Sequence, residues 1–207
     1  MGFYSERIFP RLMDWSASDA RLNTLRARAL APASGRVLEI GFGTGINLEH
    51  YPAAVASIVA IDPNPGMARL ARDRVERLGK QVEHHQGSAE KLPFDAASFD
   101  CVLSTLTLCS IPDVRAALAE VLRVLKPGGE FLFLEHGRHP SPNIRRWQDR
   151  IDPWWGRLFD GCHINRDISQ LVSDAGLKTD TITHPLLPKA PSFASYCYLG
   201  RALREQR

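Results

Sequence analysis

The stretch "VLEIGFGTG", Val37 to Gly45, constrains this 207-residue chain more than any other. Val37, Leu38 and Ile40 suit a buried strand, and Gly41, Gly43 and Gly45 follow at every second position. Glycines at that density weaken a strand or helix interior, so they mark a turn that something must approach closely. A dinucleotide site would carry G-x-G-x-x-G, with the pyrophosphate resting on the terminus of the next helix. Here the third glycine comes one residue early and position 46 is Ile. Glu39, just before the loop, repels a pyrophosphate and attracts an ammonium or sulfonium.

The rest of the chain gives this turn its setting. Residues 16–31 read as a helix with Leu22, Leu25, Ala29 and Leu30 on one side and arginines on the other, broken at 32–35. "RVLEI" is the first strand, and a short helix follows the glycine turn and ends near Tyr51. "SIVAID" is a second strand. Met67, Leu70, Ala71, Val75 and Leu78 mark a helix that Gly79 stops. The polar "QVEHHQG" suits an edge strand. "SFDCVLST" is the fourth strand and "EFLFLEH" the fifth. Between them lies a helix marked by Val114, Ala117, Leu118, Val121, Leu122 and Leu125, ended by "KPGG". Strands alternating with helices mean an α/β fold, a mostly parallel sheet with helices on both faces. "LKTDTIT" and "SFASYCYL" read instead as antiparallel strands at the end of the chain. Before them lies an insertion, residues 137 to about 165, rich in Pro, Arg and Trp.

Composition excludes several classes. The net charge of +3 is too small to argue for a nucleic-acid partner. The terminal arginines read as solvated faces. Cys101, Cys109, Cys162 and Cys197 lie far apart with no C-x-x-C pair, which argues against a zinc site and a secreted disulfide scaffold, so no metal is expected. No signal peptide or membrane-spanning run is apparent, and the chain is expected in the cytoplasm.

In an open α/β sheet the ligand lies beyond the carboxyl ends of the strands. Asp62, ending the second strand, is placed to accept hydrogen bonds from ribose hydroxyls, or else caps the strand before Pro63. Glu39 faces a cationic group, or else forms a structural salt bridge. A nucleoside carrying a cation fits both acids, and S-adenosylmethionine is such a ligand.

"VLEIGFGTG", "IVAIDPNPGM", "GSAEKLPFDAASFDCV" and "EVLRVLKPGGEFLFLEH" together resemble the class I S-adenosylmethionine-dependent methyltransferases, most closely the ubiquinone/menaquinone type. The resemblance covers roughly residues 35–136 and implies a single Rossmann-like domain with a seven-stranded sheet and an antiparallel C-terminal hairpin. It implies a helical cap over 1–34, a cofactor core over 35–136, a substrate lid over 137–165, and a C-terminal helix and hairpin over 166–207. It also implies that Gly41, Gly43 and Gly45 pass under the methionine part of S-adenosyl-L-methionine, with Thr105 beside it, and that Glu39, Phe42, Asn47 and Pro63 belong to the cofactor site. Asp62 holds the ribose, Asn64 and Met67 flank the adenine, and Ser88, Ala89 and Glu90 reach its edge. Ser88 stands where relatives often carry Asp, and Phe42 where Cys or Ala is common.

"TLTLCSI", "LEH", "DPWWGRLFDGC" and Arg166 resemble a narrower group, the alkyl thiol methyltransferases of animal membranes and similar bacterial enzymes acting on sulfide or methanethiol. The animal members carry an apolar N-terminal anchor, whereas this chain begins with the polar "MGFYSERIFPR" and is expected to be soluble. The resemblance points to Cys109, Trp147, Trp155, Phe159 and Arg166 around a small acceptor. The aromatics line a pocket lid, or else seal helix against sheet. A thiol reacts as its thiolate, with an ordinary pKa of about 8.5, so a weak base or cationic neighbour suffices. His136 is the first candidate base and Asp152 and Asp160 the next. His136 can equally be a hydrogen-bonded core residue, and each aspartate a turn cap. Methylation of a quinone precursor or phospholipid amine fits the broad motifs equally well. A binding protein that holds S-adenosylmethionine without turnover is a further alternative. A nicotinamide oxidoreductase is disfavoured by the early glycine and Glu39. Oligomeric state stays open.

Overall fold

The computed structural model describes residues 7, 8, 10–12, 14, 19–187 and 189–206. Five parallel strands, β1 (Gly35–Ile40), β2 (Val55–Asp62), β3 (Val82–Gln86), β4 (Phe99–Thr105) and β5 (Leu125–His136), are followed by β6 (Lys178–Thr183) and β7 (Cys197–Leu203). They form one seven-stranded sheet in the order β3-β2-β1-β4-β5-β7-β6. Only β7 runs antiparallel, wedged between β5 and β6. The polar β3 is an edge, as its composition requires. Strand order reverses between β1 and β4, which opens a crevice above their carboxyl ends.

Both faces of the sheet are covered, which explains why its central strands are almost uniformly apolar. Alternation still decides which face each residue meets. Val37, Cys101, Leu103, Leu132 and Leu134 pack against Leu22, Leu25, Ala29 and Leu30 of α1 (Ala20–Leu30). Leu38, Ile40, Val102, Phe131 and Phe133 pack on the opposite face, against α3 (Val114–Val124) and α5 (Ile168–Asp174). Phe131 and Phe133 are fully buried, and truncating either to Ala costs about 3–5 kcal/mol. α2 (Pro65–Leu78) begins with Asn64 accepting from the Gly66 and Met67 N–H groups and ends at Gly79, φ 59°.

Three local readings change. The glycine loop runs into a four-residue 3-10 turn, Ile46–Glu49, entered through Gly45 at φ 74°. The segment "SFASYCYL" is split: Ser192–Ser195 is a helical turn after Pro191, and the strand begins at Cys197. The insertion is dominated by a 17-residue helix, α4 (Pro142–Leu158), which tolerates Pro142 in its first turn and Pro153 within. Residues 16–18 of the expected first helix, and most of the polar N-terminal stretch, lie outside the described residues. Among the described residues no helix is long and apolar enough to cross a membrane.

Candidate active site

A cleft of about 1270 Å³ lies over the carboxyl ends of β1, β2, β4 and β5. Ligand pockets usually span about 300–1,000 Å³, so this one has room for a nucleoside and a small second molecule.

The glycine loop forms its floor. Gly41 takes φ +66°, and a Cβ there would collide with Thr107 at 2.1 Å. At Gly43 a Cβ would meet nothing closer than 3.9 Å, so any side chain would fill the cleft itself. Asp62 closes the loop from β2. Its Oδ2 accepts from Gly43 N at 2.8 Å and its Oδ1 from Asn64 N at 2.8 Å. Each carboxylate oxygen keeps a lone pair for a ligand hydroxyl. Burial raises the Asp62 pKa against those two bonds.

Glu39 does not line the cleft. It shares a sheet face with Val37, and thus with α1. Its carboxylate is engaged by Asn47 Nδ2 and by Tyr51 OH, both at 2.6 Å. Burial pushes it up to about 7, against those bonds and the nearby Arg26 charge. Through Asn47, which does line the cleft, Glu39 is linked to the ligand space. Gly45 is also outside the lining, where it sets the turn. Phe42, Pro63, Asn64, Met67, Ser88, Ala89, Glu90 and Thr105 line the cleft. Ser88 donates to Glu90 Oε2 at 2.7 Å, and Glu90 Oε1 accepts from Asp113 N at 2.6 Å, tying this edge to the start of α3.

Arg26 is the functional candidate that the sequence reading missed. Read as part of a solvated face, it is buried and lines the cleft. Its Nη1 donates to Asn47 Oδ1 at 2.9 Å and to Thr105 Oγ1 at 3.2 Å, while its Nε is buried without a partner among the described residues. Burial lowers its pKa to about 10, which leaves it a cation at neutral pH. The signal was its place in the buried arc Leu22–Arg26–Ala29, at helical spacing. The cleft floor thus offers carboxylate acceptors at Asp62 and a cation at Arg26. That donor set fits a ribose and an amino-acid carboxylate.

The other end of the cleft is built by three loops. Cys109 sits in the turn after β4, His136 ends β5, and Cys162 follows α4. All three line the cleft. Cys162 Sγ lies 3.2 Å from His136 Nε2, and His136 Nδ1 is buried without a partner among the described residues. The hydrogen bond between the two thiols holds Cys109 well below the usual thiol range and pushes Cys162 far above it. Burial opposes a charge on His136, but Cys109 and Glu135 outweigh it and raise its pKa.

α4 delivers residues to this end by helical period. Gln148 and Asp152 face inward, and Trp155 and then Phe159 reach the cleft. Their rings stack at 4.2 Å. Trp147 and Trp154 lie on the outer face, 59% and 71% exposed, under Arg150 and Arg157. The expectation for Trp147 is therefore corrected, because one residue's step turns it away from Gln148. Asp152 does not line the cleft either. Its Oδ1 accepts from Ile164 N at 2.8 Å and its Oδ2 meets His163 Nδ1 at 2.7 Å, so it braces the Cys162 loop and is not available as a base. Arg166 Nη1 donates to Leu108 O and braces the Cys109 turn, outside the cleft lining. Asp160 lines the cleft. Gln148, missed from the sequence, lies fully buried with its Nε2 within 2.7–3.0 Å of the carbonyls of Gly137, Ile164 and Phe193.

The family model described as a methyltransferase domain matches residues 38–133, the stretch that carries the glycine loop, Asp62 and β5. Human thiol S-methyltransferase TMT1A is 36% identical over 164 residues, covering 76% of this chain and 67% of that protein. The chain belongs to the class I S-adenosylmethionine-dependent methyltransferases. Demethylmenaquinone methyltransferase of Clavibacter sepedonicus is 39% identical over 123 residues, covering 59% of this chain and 50% of that protein. These matches span between half and about two thirds of the relatives' own lengths. The solved structure of a SAM-dependent methyltransferase from Aquifex aeolicus shares the fold, with a TM-score of 0.67, 20% identity, and coverage of 94% of this chain and 97% of that one. The cofactor of this methyltransferase is S-adenosylmethionine, and the donor set on the cleft floor suits it.

Proposed function

We propose that this methyltransferase acts on the sulfur of a small thiol or sulfide in the cytoplasm. The observation that carries the reading is the acceptor end of the cleft. It is lined by the stacked aromatic rings of Trp155 and Phe159 and by Cys109, His136 and Cys162. A small soft nucleophile suits such a site better than a bulky ring does. The name of human TMT1A, a thiol S-methyltransferase, supports the same reading. The free state of all four cysteines fits a reducing compartment.

S-adenosylmethionine supplies a methyl group on a sulfonium, which is already a good leaving group. The chain's own residues therefore bind, align and exclude water. Asp62 holds the ribose hydroxyls, and Arg26 and Asn47 hold the methionyl end. Trp155 and Phe159, on the 137–165 lid, keep water from the acceptor. His136 is the basic group at that end and takes the thiol proton on its imidazole, a step worth most below the thiol's own pKa.

Methylation of a quinone precursor or a phospholipid amine is the second reading, the former favoured by the likeness to the Clavibacter sepedonicus enzyme. One experiment separates the two. The protein is incubated with methyl-labelled S-adenosylmethionine and, in turn, sulfide, methanethiol, a quinone precursor and phosphatidylethanolamine. Label in the thioether is the expected result. Label only in the phenolic ring or the lipid amine moves the protein to the second reading.

A further inference from the structure

We propose that Cys109, His136 and Cys162 bind a zinc ion whose fourth position faces the cleft and receives the acceptor thiol. The inference rests on the thiol reading and changes one step of it: His136 becomes a ligand, and the acceptor's proton is displaced instead of accepted by the imidazole.

The geometry comes first. The Sγ atoms of the two cysteines and a ring nitrogen of His136 all lie within 4.8 Å of one another. Zinc binds sulfur at about 2.3 Å and imidazole nitrogen at about 2.0–2.1 Å in tetrahedral sites, which places ligand atoms about 3.6–3.8 Å apart. The 3.2 Å between Cys162 Sγ and His136 Nε2 is within a few tenths of an ångström of that spacing. The other pairs, none more than 4.8 Å apart, would close to that spacing around the ion.

The donor set comes second. Two thiolates and an imidazole are the ligands that select zinc over hard cations. A site with three protein ligands and one open position is the catalytic pattern, in contrast to the closed four-ligand structural one. Because all three side chains line the same cleft, the open position falls on the acceptor side.

The unsatisfied imidazole comes third. His136 Nε2 meets Cys162 Sγ, while its Nδ1 is buried without a partner among the described residues. Zinc on Nε2 would fix the ring as its Nδ1–H tautomer, the neutral form a ligand needs, without itself supplying Nδ1 with a partner.

The bracing comes fourth. Zinc ligands are held by a second layer of hydrogen bonds. Here His163 N donates to Cys109 O at 2.8 Å, which ties the two cysteine loops together. Asp152 holds the Cys162 loop from below, and Arg166 holds the Cys109 turn through Leu108 O. These are positioning residues, and they account for charges near the cleft that do not reach it.

The chemistry balances. The acceptor's S–H bond breaks as its sulfur takes the open position, and the proton leaves to water, because a coordinated thiol is deprotonated outright. The S–CH3 bond then forms as the sulfonium C–S bond breaks, and that electron pair stays on the donor sulfur. The neutral thioether is a poor ligand and departs.

The test uses the whole chain, kept reduced with a phosphine and dialysed against zinc. About one zinc per chain is expected by atomic emission. Cobalt(II) in its place should give a thiolate charge-transfer band and tetrahedral visible bands. Cys109→Ser and Cys162→Ser should each lose the band and lower zinc affinity more than about a hundredfold, since loss of a bracing partner alone costs about 10–100-fold. Cys197→Ala, outside the cluster, should retain both. Circular dichroism checks that each variant is folded, and either serine variant alone suffices. Adding methanethiol should shift the visible cobalt bands. Zinc absent from folded, reduced protein overturns the proposal, as does zinc retained by both serine variants. Unshifted cobalt bands overturn the acceptor position. If methanethiol shifts the bands but no thioether is labelled, the thiol reading fails and the site stands. If chelator-stripped, reduced protein labels thiols at full rate, the site fails and the thiol reading stands.

Discussion

Replacing Asp62 by Asn is the sharpest probe of the cofactor floor, because both carboxylate oxygens already work. One accepts from Gly43 N and the other from Asn64 N, each at 2.8 Å. An amide keeps one acceptor and turns an N–H toward the other backbone donor. The variant therefore loses one charge-assisted bond to the loop and weakens the acceptor for ribose. Hydrogen bonds to charged groups contribute about 1.5–3 kcal/mol, and each 1.4 kcal/mol is tenfold in affinity. Cofactor affinity should fall about tenfold to a hundredfold. The melting temperature without ligand should fall about 2–4 °C for each kcal/mol lost in the loop. Calorimetric titration with S-adenosylhomocysteine and with its 2′-deoxy analogue separates the two effects. The unmodified protein should prefer the parent nucleoside, and Asp62→Asn should erase most of that preference. If the unmodified protein binds both ligands equally, Asp62 only braces the loop and the ribose contact is refuted.

Four further outcomes follow from the same geometry. Arg26→Met should weaken binding of S-adenosylhomocysteine by about tenfold or more through loss of a charge-assisted contact, while decarboxylated S-adenosylmethionine, which lacks the carboxylate, should be affected least in the same titration. Trp155→Ala and Phe159→Ala should reduce turnover and leave cofactor affinity within a few-fold; unfolding of either in a melting experiment would make the pair core. His136→Ala should slow methylation most below the thiol's own pKa of about 8.5 and recover as the thiolate forms unaided, whether the imidazole takes the proton or holds the cation that displaces it; a pH-independent defect in a rate profile would leave it a positioning residue. Glu39→Gln tests linkage: the folded carboxyl sits at about 7, above its unfolded value, so the unmodified protein loses stability as pH rises from about 4.5 to 7 and is level beyond, by at most about 3 kcal/mol. Urea unfolding from pH 5 to 8 should show the variant gaining on the unmodified protein across that window, and parallel curves would refute the shift.

The parts of the chain that were legible share one property: their signal is local. Gly41 to Gly45, Asp62 ending a strand and Gly79 stopping a helix each announce a backbone need within a few residues of themselves. The sheet follows from their repetition, so the α/β order and the cleft's cofactor end could be read directly. Arg26 and Glu39 were legible as residues but not as partners, because their encounter depends on sheet parity placing Glu39 beneath α1. Trp147 and Trp155 differ only in helical phase, which a segment read as an irregular insertion does not supply. The cysteines show the limit most clearly. Spacing along the chain argued against zinc because metal motifs are recognised by ligands close in sequence. Here 27 positions separate Cys109 from His136, and 26 more separate it from Cys162. Each arrives on a different strand-end loop, at the one place where a parallel sheet gathers such loops together. A site of that kind leaves no pattern in the sequence, and the fold alone assembles it.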